Sequence, residues 1–185
     1  MVESGLDEFC SAVIDFFERE NVSYLVIGGL AVSVIGEPRM TQDIDLIVAI
    51  KKQDVPTFLE DALRNGFELD IEKELQRTEL TGTFRLRREL YHADIIIASI
   101  SLEESAFARS QKIKLLDRMV PFPSPEDLIL LKIIVGRDKD ILDAKSIIIR
   151  HRNKLDKIYL ELWAQKLSDE AEDMKIWNRL MTLLK

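Results

Sequence analysis

The sequence predicts an α/β (α+β) fold, in which a mixed β-sheet core is followed by a helical C-terminal third. Three observations support this class. Residues 24–27 form a short apolar run that ends at two glycines, as a buried strand does before a tight turn. Residues 83–90 alternate apolar and basic side chains and lead directly into an apolar run at 91–97, which is typical of a β-hairpin. From residue 125 onward the pattern is mostly helical.

The elements of the N-terminal half follow from periodicity and from the residues that begin or end them. Apolar residues three and four apart predict an amphipathic helix over residues 6–20. A short helix over 30–35 begins after the two glycines and ends before Gly36. A strand over 43–50 has a polar start, and a helix over 54–65 begins at a capping aspartate.

The middle of the chain is less regular. Residues 68–82 are charged and weakly periodic, which predicts a partly helical connection. After the hairpin, a short helix over 102–110, a strand over 112–116 and the segment 119–122 complete the sheet region. Ser124 then acts as an N-cap before a proline and two acids, a combination that begins a helix.

Length and composition limit the class of protein. The chain has 185 residues, 46% of them hydrophobic, which is enough for one compact core. We expect that core over residues 1–122 and a helical region packed on it over 123–185. The formal charge of −7 excludes a broadly basic surface that coats nucleic acid. One cysteine and two histidines make a Cys/His zinc site implausible, but they do not exclude a metal held by oxygen ligands.

The sequence contains no recognisable targeting signal. The acidic start, with Glu3, Asp7 and Glu8, has no cationic leader ahead of an apolar stretch, and nowhere do 18 consecutive apolar residues occur. We therefore expect a cytoplasmic, unprocessed protein that does not associate with a membrane.

Two carboxylates, Asp43 and Asp45, lie at the start of the strand predicted over residues 43–50. Their spacing places both on one face of a strand with Cα atoms roughly 6.5–7 Å apart. At an effective dielectric constant near 20 they repel by roughly 2–3 kcal/mol, so they need a cation, a proton or full exposure. Asp94 is a lone acid in another apolar strand. If the two strands are neighbours, the three acids form a ligand set for one or two Mg²⁺ ions.

The surroundings of the acid pair distinguish it from a common solvated Asp-x-Asp at a strand end. Gly28 and Gly29 lie about fifteen residues upstream at a strand-to-helix turn, where backbone N–H groups can approach a phosphate. The acids precede their apolar run, whereas phosphatase-like sites place them after it. No Gly-Lys-Ser/Thr occurs, which excludes a P-loop.

Residues 28–48, GGLAVSVIGEPRMTQDIDLIV, resemble the signature of the polymerase-beta-type nucleotidyltransferase superfamily, and Asp94 in HADIIIA matches its third carboxylate. Residues 123–148, PSPEDLILLKIIVGRDKDILDAKSII, resemble the Lys-…-Arg-x-Lys-Asp-x-x-Asp region of the AbiEii-like branch, which includes toxins of toxin–antitoxin systems. The resemblance covers most of residues 24–149. Gly29 departs from it, because many members carry serine there.

The resemblance implies transfer of a nucleoside monophosphate from an NTP to an acceptor hydroxyl, with release of pyrophosphate. It implies that Asp43, Asp45 and Asp94 bind two Mg²⁺ ions, or Mn²⁺ instead, and that Asp94 is the base or positions it. Gly28 and Gly29 would hold the phosphates. An acceptor of RNA (such as tRNA), protein or small-molecule type remains open, as does an antitoxin-like partner.

Further residues are candidates for nucleotide binding. Arg39 and Lys132 would neutralise the β- and γ-phosphates, and Thr41 would orient the acid pair. The alternatives are a surface ion pair of Arg39 with Glu37 or another nearby acid, and a solvated helix position for Lys132. Three further candidates are Lys139, Asp140 and Asp143, whose acids share a helix face and either approach the cleft or only favour the helix N-terminus.

Three other interpretations stay open. Residues 137–157 carry a net charge of about +3 and, with Arg85, Arg87 and Arg88, could receive a nucleic-acid backbone; a solvated helix is the simpler explanation. The chain could be an idle module of the same fold that binds a nucleotide or a partner without turnover, or a two-metal nuclease. His92 has no histidine partner, which favours a structural role.

Overall fold

The computed structural model of the protein describes residues 5–185, so Glu3 lies outside the described residues. The first elements are α1 (Gly5–Arg19), β1 (Tyr24–Ile27), α2 (Gly28–Ile35), β2 (Asp43–Val48), a 3₁₀ turn (Lys52–Asp54), α3 (Val55–Arg64) and α4 (Ile71–Thr81). The hairpin β3 (Thr83–Arg88) and β4 (Tyr91–Ile97) follows, with α5 (Ser101–Ala108), β5 (Gln111–Leu115) and β6 (Arg118–Phe122). The chain ends in α6 (Pro125–Val135), α7 (Asp138–His151), α8 (Lys157–Glu170) and α9 (Lys175–Leu183).

The main sheet is mixed, as expected. Its strand order is β1-β2-β4-β3, with β2 and β4 parallel and the other two pairs antiparallel. The register places Asp45 opposite Asp94 on β4, and Asp94 opposite Arg85 on β3. The condition left open by the sequence, that the strands of Asp43 and Asp94 are neighbours, is therefore met.

One face of the sheet packs against the large hydrophobic core. Ile44 and Leu46 of β2 and Phe84 of β3 are fully buried there. Rings of α1 and α3 cover them, with centroids 4.9 Å apart for Phe16 and Phe58 and 5.8 Å apart for Phe58 and Phe84. The alternation of side chains along the strands sends the acids to the opposite face.

The opposite face is covered only in part. Leu25, Ile27 and Ile47 form a small second apolar cluster with Ala106 of α5, and Leu131 of α6 packs against it. The uncovered part carries the polar residues of β2, β3 and β4. Its β2 and β4 residues form the floor of the cleft described below.

Two regions differ from the sequence prediction. Residues 68–82 contain a complete helix, α4, which begins where the Asp70 side chain accepts a hydrogen bond from the Lys73 amide at 3.2 Å. The aspartate cap was a usable signal, but the charged surface of this helix obscured its periodicity. Strands β5 and β6 do not join the main sheet; they form a separate two-stranded sheet, closed by positive φ angles at Leu116 and Asp117.

The helical C-terminal third is confirmed. Ser124 caps α6 as predicted, with its hydroxyl accepting from the Asp127 amide at 3.1 Å. Helix α6 is buried in the same core as the sheet, since Leu128, Ile129 and Leu130 are fully buried. The division at residues 122 and 123 stays a prediction. None of the helices within residues 5–185 combines the length and apolar character needed to cross a membrane.

Candidate active site

The three predicted carboxylates come together on the open face of the sheet. Asp43 and Asp45 lie at the start of β2, and Asp94 lies beside Asp45 on the parallel neighbour β4. Asp43 and Asp94 are partly exposed, with side chains 39% and 31% accessible. All three line a cavity of about 230 Å³. A larger depression of about 530 Å³, between α1 and the β5–β6 hairpin, is lined by neither these acids nor the glycines.

The electrostatics of the acids favour a bound cation. Burial raises the pKa of Asp45, and the charges of Asp43 and Asp94 raise it further. The charges of Lys132 and Lys139 lower the pKa of Asp45, but they do not cancel the increase. The carboxylate form of Asp45 is therefore unfavourable unless a positive charge stands beside it.

Asp45→Asn should stabilise the metal-free protein at neutral pH. Because the pKa of Asp45 is higher in the folded than in the unfolded state, folded chains retain its proton longer, and stability falls as pH rises through the interval between the two values. We expect the variant to raise the thermal midpoint in EDTA by about 2–4 °C at pH 7. The gain should vanish well below the unfolded pKa, where both forms are neutral. An unchanged midpoint at pH 7 would contradict the proposed repulsion.

The backbone of Gly28 lies directly against Asp45, and the backbone of Gly29 lies against Thr41. Gly28 has φ +65°, and a Cβ built there would lie 1.8 Å from Asp45 Oδ2. A Cβ built on Gly29 would lie 2.8 Å from Thr41 Oγ1. The two glycines begin α2, whose N-terminus has no side-chain cap. Its free N–H groups can bind an anion such as a phosphate.

Thr41 contacts one member of the acid pair. Its hydroxyl donates to Asp43 Oδ1 at 2.7 Å. Thr41, in the short loop before β2, is thus placed to orient Asp43, as expected from the sequence. Thr41 also fills the space in which the side chain of a residue at position 29 would begin.

Arg39, Lys132 and Arg137 are held beside the cleft by Asp140 and Asp143, and we refer to these five residues as the charge cluster. Arg39 donates to both oxygens of Asp143, at 3.0 and 3.1 Å. Lys132 Nζ lies 2.9 Å from Asp143 and 3.3 Å from Asp140. Arg137 Nε donates to Asp140 at 2.6 Å. Arg39 thus forms an ion pair with an acid, as its alternative allowed, although the acid is Asp143 and not Glu37. The alternative for Lys132 does not hold, because Lys132 is buried.

Asp140 lines the cavity whereas Asp143 does not, and both acids pair with cations. Both are buried. Burial opposes ionisation of Asp140, yet hydrogen bonds from Arg137 and the charge of Lys132 prevail and lower its pKa. The acids of α7 therefore fix the positions of Arg39, Lys132 and Arg137. Lys139, the third candidate of this helix, lines the cavity and forms no ion pair within residues 5–185.

Two residues near the acids were not among the predicted site residues. Arg85 binds Asp94 through two hydrogen bonds of 2.6 and 2.8 Å, and this contact raises the pKa of Arg85. His92 Nε2 lies 3.9 Å from Asp43 Oδ2 and 3.8 Å from Asp94 Oδ2. His92 is therefore next to the three acids. The alternation of the hairpin was the signal for both, because it aligns residues 85, 92 and 94 on one face.

The donor set suits a hard divalent cation. It consists of carboxylate oxygens, the ligands that Mg²⁺ and Mn²⁺ prefer, and Asp45 forms no ion pair with any of residues 5–185. Within residues 5–185, no three acidic, imidazole or thiol side chains are gathered tightly enough to form a ready-made metal site. Asp94 is instead engaged by Arg85.

Carboxylates on two parallel strands, facing an uncapped Gly-Gly helix N-terminus, define the protein as a nucleotidyltransferase. Residues 5–183 match the model of the family described as "Nucleotidyltransferase of unknown function (DUF6036)", and the chain belongs to this family. The superfamily and the enzyme class inferred from the sequence are thereby confirmed. Membership of the AbiEii-like branch stays a prediction. No curated protein matches the chain in sequence.

Solved structures share the fold. The lincosamide antibiotic adenylyltransferase LnuA, bound to lincomycin, has a TM-score of 0.53 at 18% identity over 78% of this chain and 96% of its own. An antigenic nucleotidyltransferase-like protein from Paracoccidioides brasiliensis has a TM-score of 0.54 at 19% identity over 92% of each chain. Antibiotic-resistance factor ANT(2'')-Ia reaches 0.58 at 13% identity, over 90% of this chain and 95% of its own.

Proposed function

We propose that this protein is a Mg²⁺-dependent enzyme that transfers a nucleoside monophosphate from an NTP to an acceptor hydroxyl. One observation carries the proposal: Asp43, Asp45 and Asp94 lie together on the sheet face opposite the free N-terminus of α2. A triphosphate bound by that helix would hold its α-phosphate close to the three acids.

The cleft divides into a phosphate side and an acid side. On the phosphate side, the N–H groups of Gly28 and Gly29 and the cations of the charge cluster bind the β- and γ-phosphates. Arg39 and Arg137 supply forked donors, and Lys132 supplies a compact charge. These cations are already held by two buried carboxylates, so little conformational entropy is lost when the nucleotide binds.

On the acid side, Asp43, Asp45 and Asp94 would hold one or two Mg²⁺ ions, and Mn²⁺ suits the same ligands. The metal, when bound, would neutralise the phosphate charge and make the acceptor hydroxyl more acidic. Thr41 fixes the Asp43 carboxylate through its 2.7 Å hydrogen bond. Asp94 takes the proton of the acceptor hydroxyl while the acceptor oxygen forms a bond to the α-phosphorus. The bond from that phosphorus to pyrophosphate breaks, and its electron pair leaves with pyrophosphate.

The relatives by fold use diverse acceptors. The names of the LnuA and ANT(2'')-Ia structures indicate that antibiotics are their acceptors. A Megavirus polyadenylate synthase, matched over 32% of its own length, has a TM-score of 0.51 at 13% identity. RNA, protein and small-molecule acceptors all stay within the proposal. An antitoxin-like partner and a cytoplasmic location also stay predictions.

Calorimetry with a non-hydrolysable NTP tests the proposal. We expect binding to the wild type when Mg²⁺ is in excess over the NTP, and at least about tenfold weaker binding in EDTA. Asp43→Asn should lose the Mg²⁺-dependent part, because it removes a charged oxygen ligand while preserving shape. Asp54→Asn, at an exposed position before α3, is the matched control. Equal affinity with and without Mg²⁺ would refute the metal dependence.

One observation favours a second candidate, an idle nucleotide-binding module. The bidentate ion pair between Arg85 and Asp94 occupies the proposed base. Incubation of the protein with the four α-³²P-labelled NTPs and a cell extract separates the two functions. Label transferred to an acceptor requires an enzyme, whereas NTP binding without any transfer identifies the module.

A further inference from the structure

On the open face of the sheet, Arg85 and Arg87 of β3 lie beside the acids of β2 and β4, and we refer to these two residues as the arginine column. The register aligns two rows across three strands: Asp45, Asp94 and Arg85 form one, and Asp43, His92 and Arg87 form the other. Side chains two residues apart share a face, so both rows lie on the same face. The composition of each row changes from acidic on β2 to basic on β3.

The cleft and the arginine column lie on opposite sides of Asp94. The cavity is bounded by β1, β2, β4, α2, α6 and α7, and its lining includes Gly28, Lys132 and Asp94 but neither Arg85 nor Arg87. In phosphoryl transfer the attacking and leaving oxygens are roughly in line through phosphorus. If pyrophosphate leaves toward α2 and the charge cluster, the acceptor enters from the β3 side.

Of the two arginines of this column, Arg87 is the one left to bind an acceptor. Arg85 is engaged by Asp94 in a bidentate ion pair. Arg87 is exposed, and its guanidinium makes no ion pair within residues 5–185. The nearby Glu68 contacts Arg87 through backbone atoms only, and its carboxylate accepts from the Glu89 amide at 3.4 Å. The Arg87 Cα is two strand spacings, roughly 10 Å, from that of Asp43.

We propose that the acceptor carries a phosphate group near its reacting hydroxyl and that Arg87 binds this phosphate; the proposal rests on the function proposed above. A guanidinium offers two parallel N–H donors, which match two oxygens of a phosphate. An acceptor without an anionic group would leave this arginine unused. The same chemistry is offered by the 3′ end of an RNA strand and by a small phosphorylated sugar, and the experiment separates these two sources.

The first measurement is equilibrium binding of a fluorescein-labelled, single-stranded 12-nucleotide RNA with a free 3′-hydroxyl. If the source is RNA, Arg87→Ala should weaken binding at least about tenfold and lower the slope of log affinity against log salt by about 0.7. Arg87→Lys should retain part of the affinity. Arg64→Ala, which removes an exposed arginine from α3 on the other face of the sheet, is the matched control and should bind like the wild type.

The second measurement is calorimetry with ribose 5-phosphate, with ribose as the uncharged comparison. Binding of ribose 5-phosphate that is lost in Arg87→Ala, without Arg87-dependent RNA binding, identifies the small phosphorylated source. If Arg87→Ala changes neither affinity, or if neither probe binds the wild type, the proposal is wrong. Mg²⁺-dependent NTP binding should be unchanged in Arg87→Ala. If the wild type showed no Mg²⁺-dependent NTP binding, the proposed function would be refuted. That result is separate from the acceptor test, because both acceptor measurements are made without nucleotide.

Discussion

Replacing Asp45 with asparagine should lower nucleotidyl transfer by at least about 10³-fold, and Asp43→Asn should do the same. The amide keeps the shape of each carboxylate but removes the negative charge that would hold a divalent cation against the α-phosphate. The measurement is the initial rate of label transfer from the α-³²P-labelled NTP to the acceptor found in cell extract, at saturating Mg²⁺.

Folding and chemistry can be separated in this experiment. Burial and two neighbouring acids raise the pKa of Asp45, so Asp45→Asn should fold more stably in EDTA while losing activity. A loss of rate together with a higher thermal midpoint excludes unfolding as its cause. Asp54→Asn, the same exchange at an exposed position before α3, should retain the wild-type rate. Activity of Asp45→Asn within tenfold of the wild type would contradict the assigned role.

The parts of the site that depend on local pattern were predictable. The i, i+2 spacing of Asp43 and Asp45 determines that they share a face wherever β2 is a strand. The strand-to-helix turn at Gly28 follows from an apolar run before two glycines. Arg85 was within reach of the same reasoning: with the hairpin turn at residues 89 and 90, counting back along β3 aligns Arg85 with Asp94.

The other parts depend on contacts between distant segments. The strand order that makes β2 and β4 parallel neighbours is not written in either strand. Helix α6 is apolar nearly all round, so periodicity gives no indication of the direction in which Lys132 points. Its position follows from α7, which places Asp140 and Asp143 opposite it. An exposed lysine and a buried, paired lysine are therefore indistinguishable in this sequence.

Lys132→Met should destabilise the protein by about 3 kcal/mol, measured by urea denaturation. Lys132 is buried and is the cation shared by Asp140 and Asp143, which are buried as well. Methionine preserves the packing of the stem but leaves both carboxylates short of a partner. The loss should lie at the low end for a broken buried pair, because Arg137 and Arg39 still bind the two acids. Lys145→Met, at an exposed position on α7, should change stability by less than about 0.5 kcal/mol.

A double-mutant cycle tests whether this loss comes from the pairing. If Lys132 stabilises Asp143, then Asp143→Asn should cost at least about 1 kcal/mol less in the Lys132→Met background than in the wild type. Additive costs would mean that the two residues are not coupled. NTP affinity measured on the folded fraction of Lys132→Met then isolates the second role of the lysine. A protein that retains wild-type NTP affinity after losing this cation would show that the charge cluster stabilises the fold without binding phosphate.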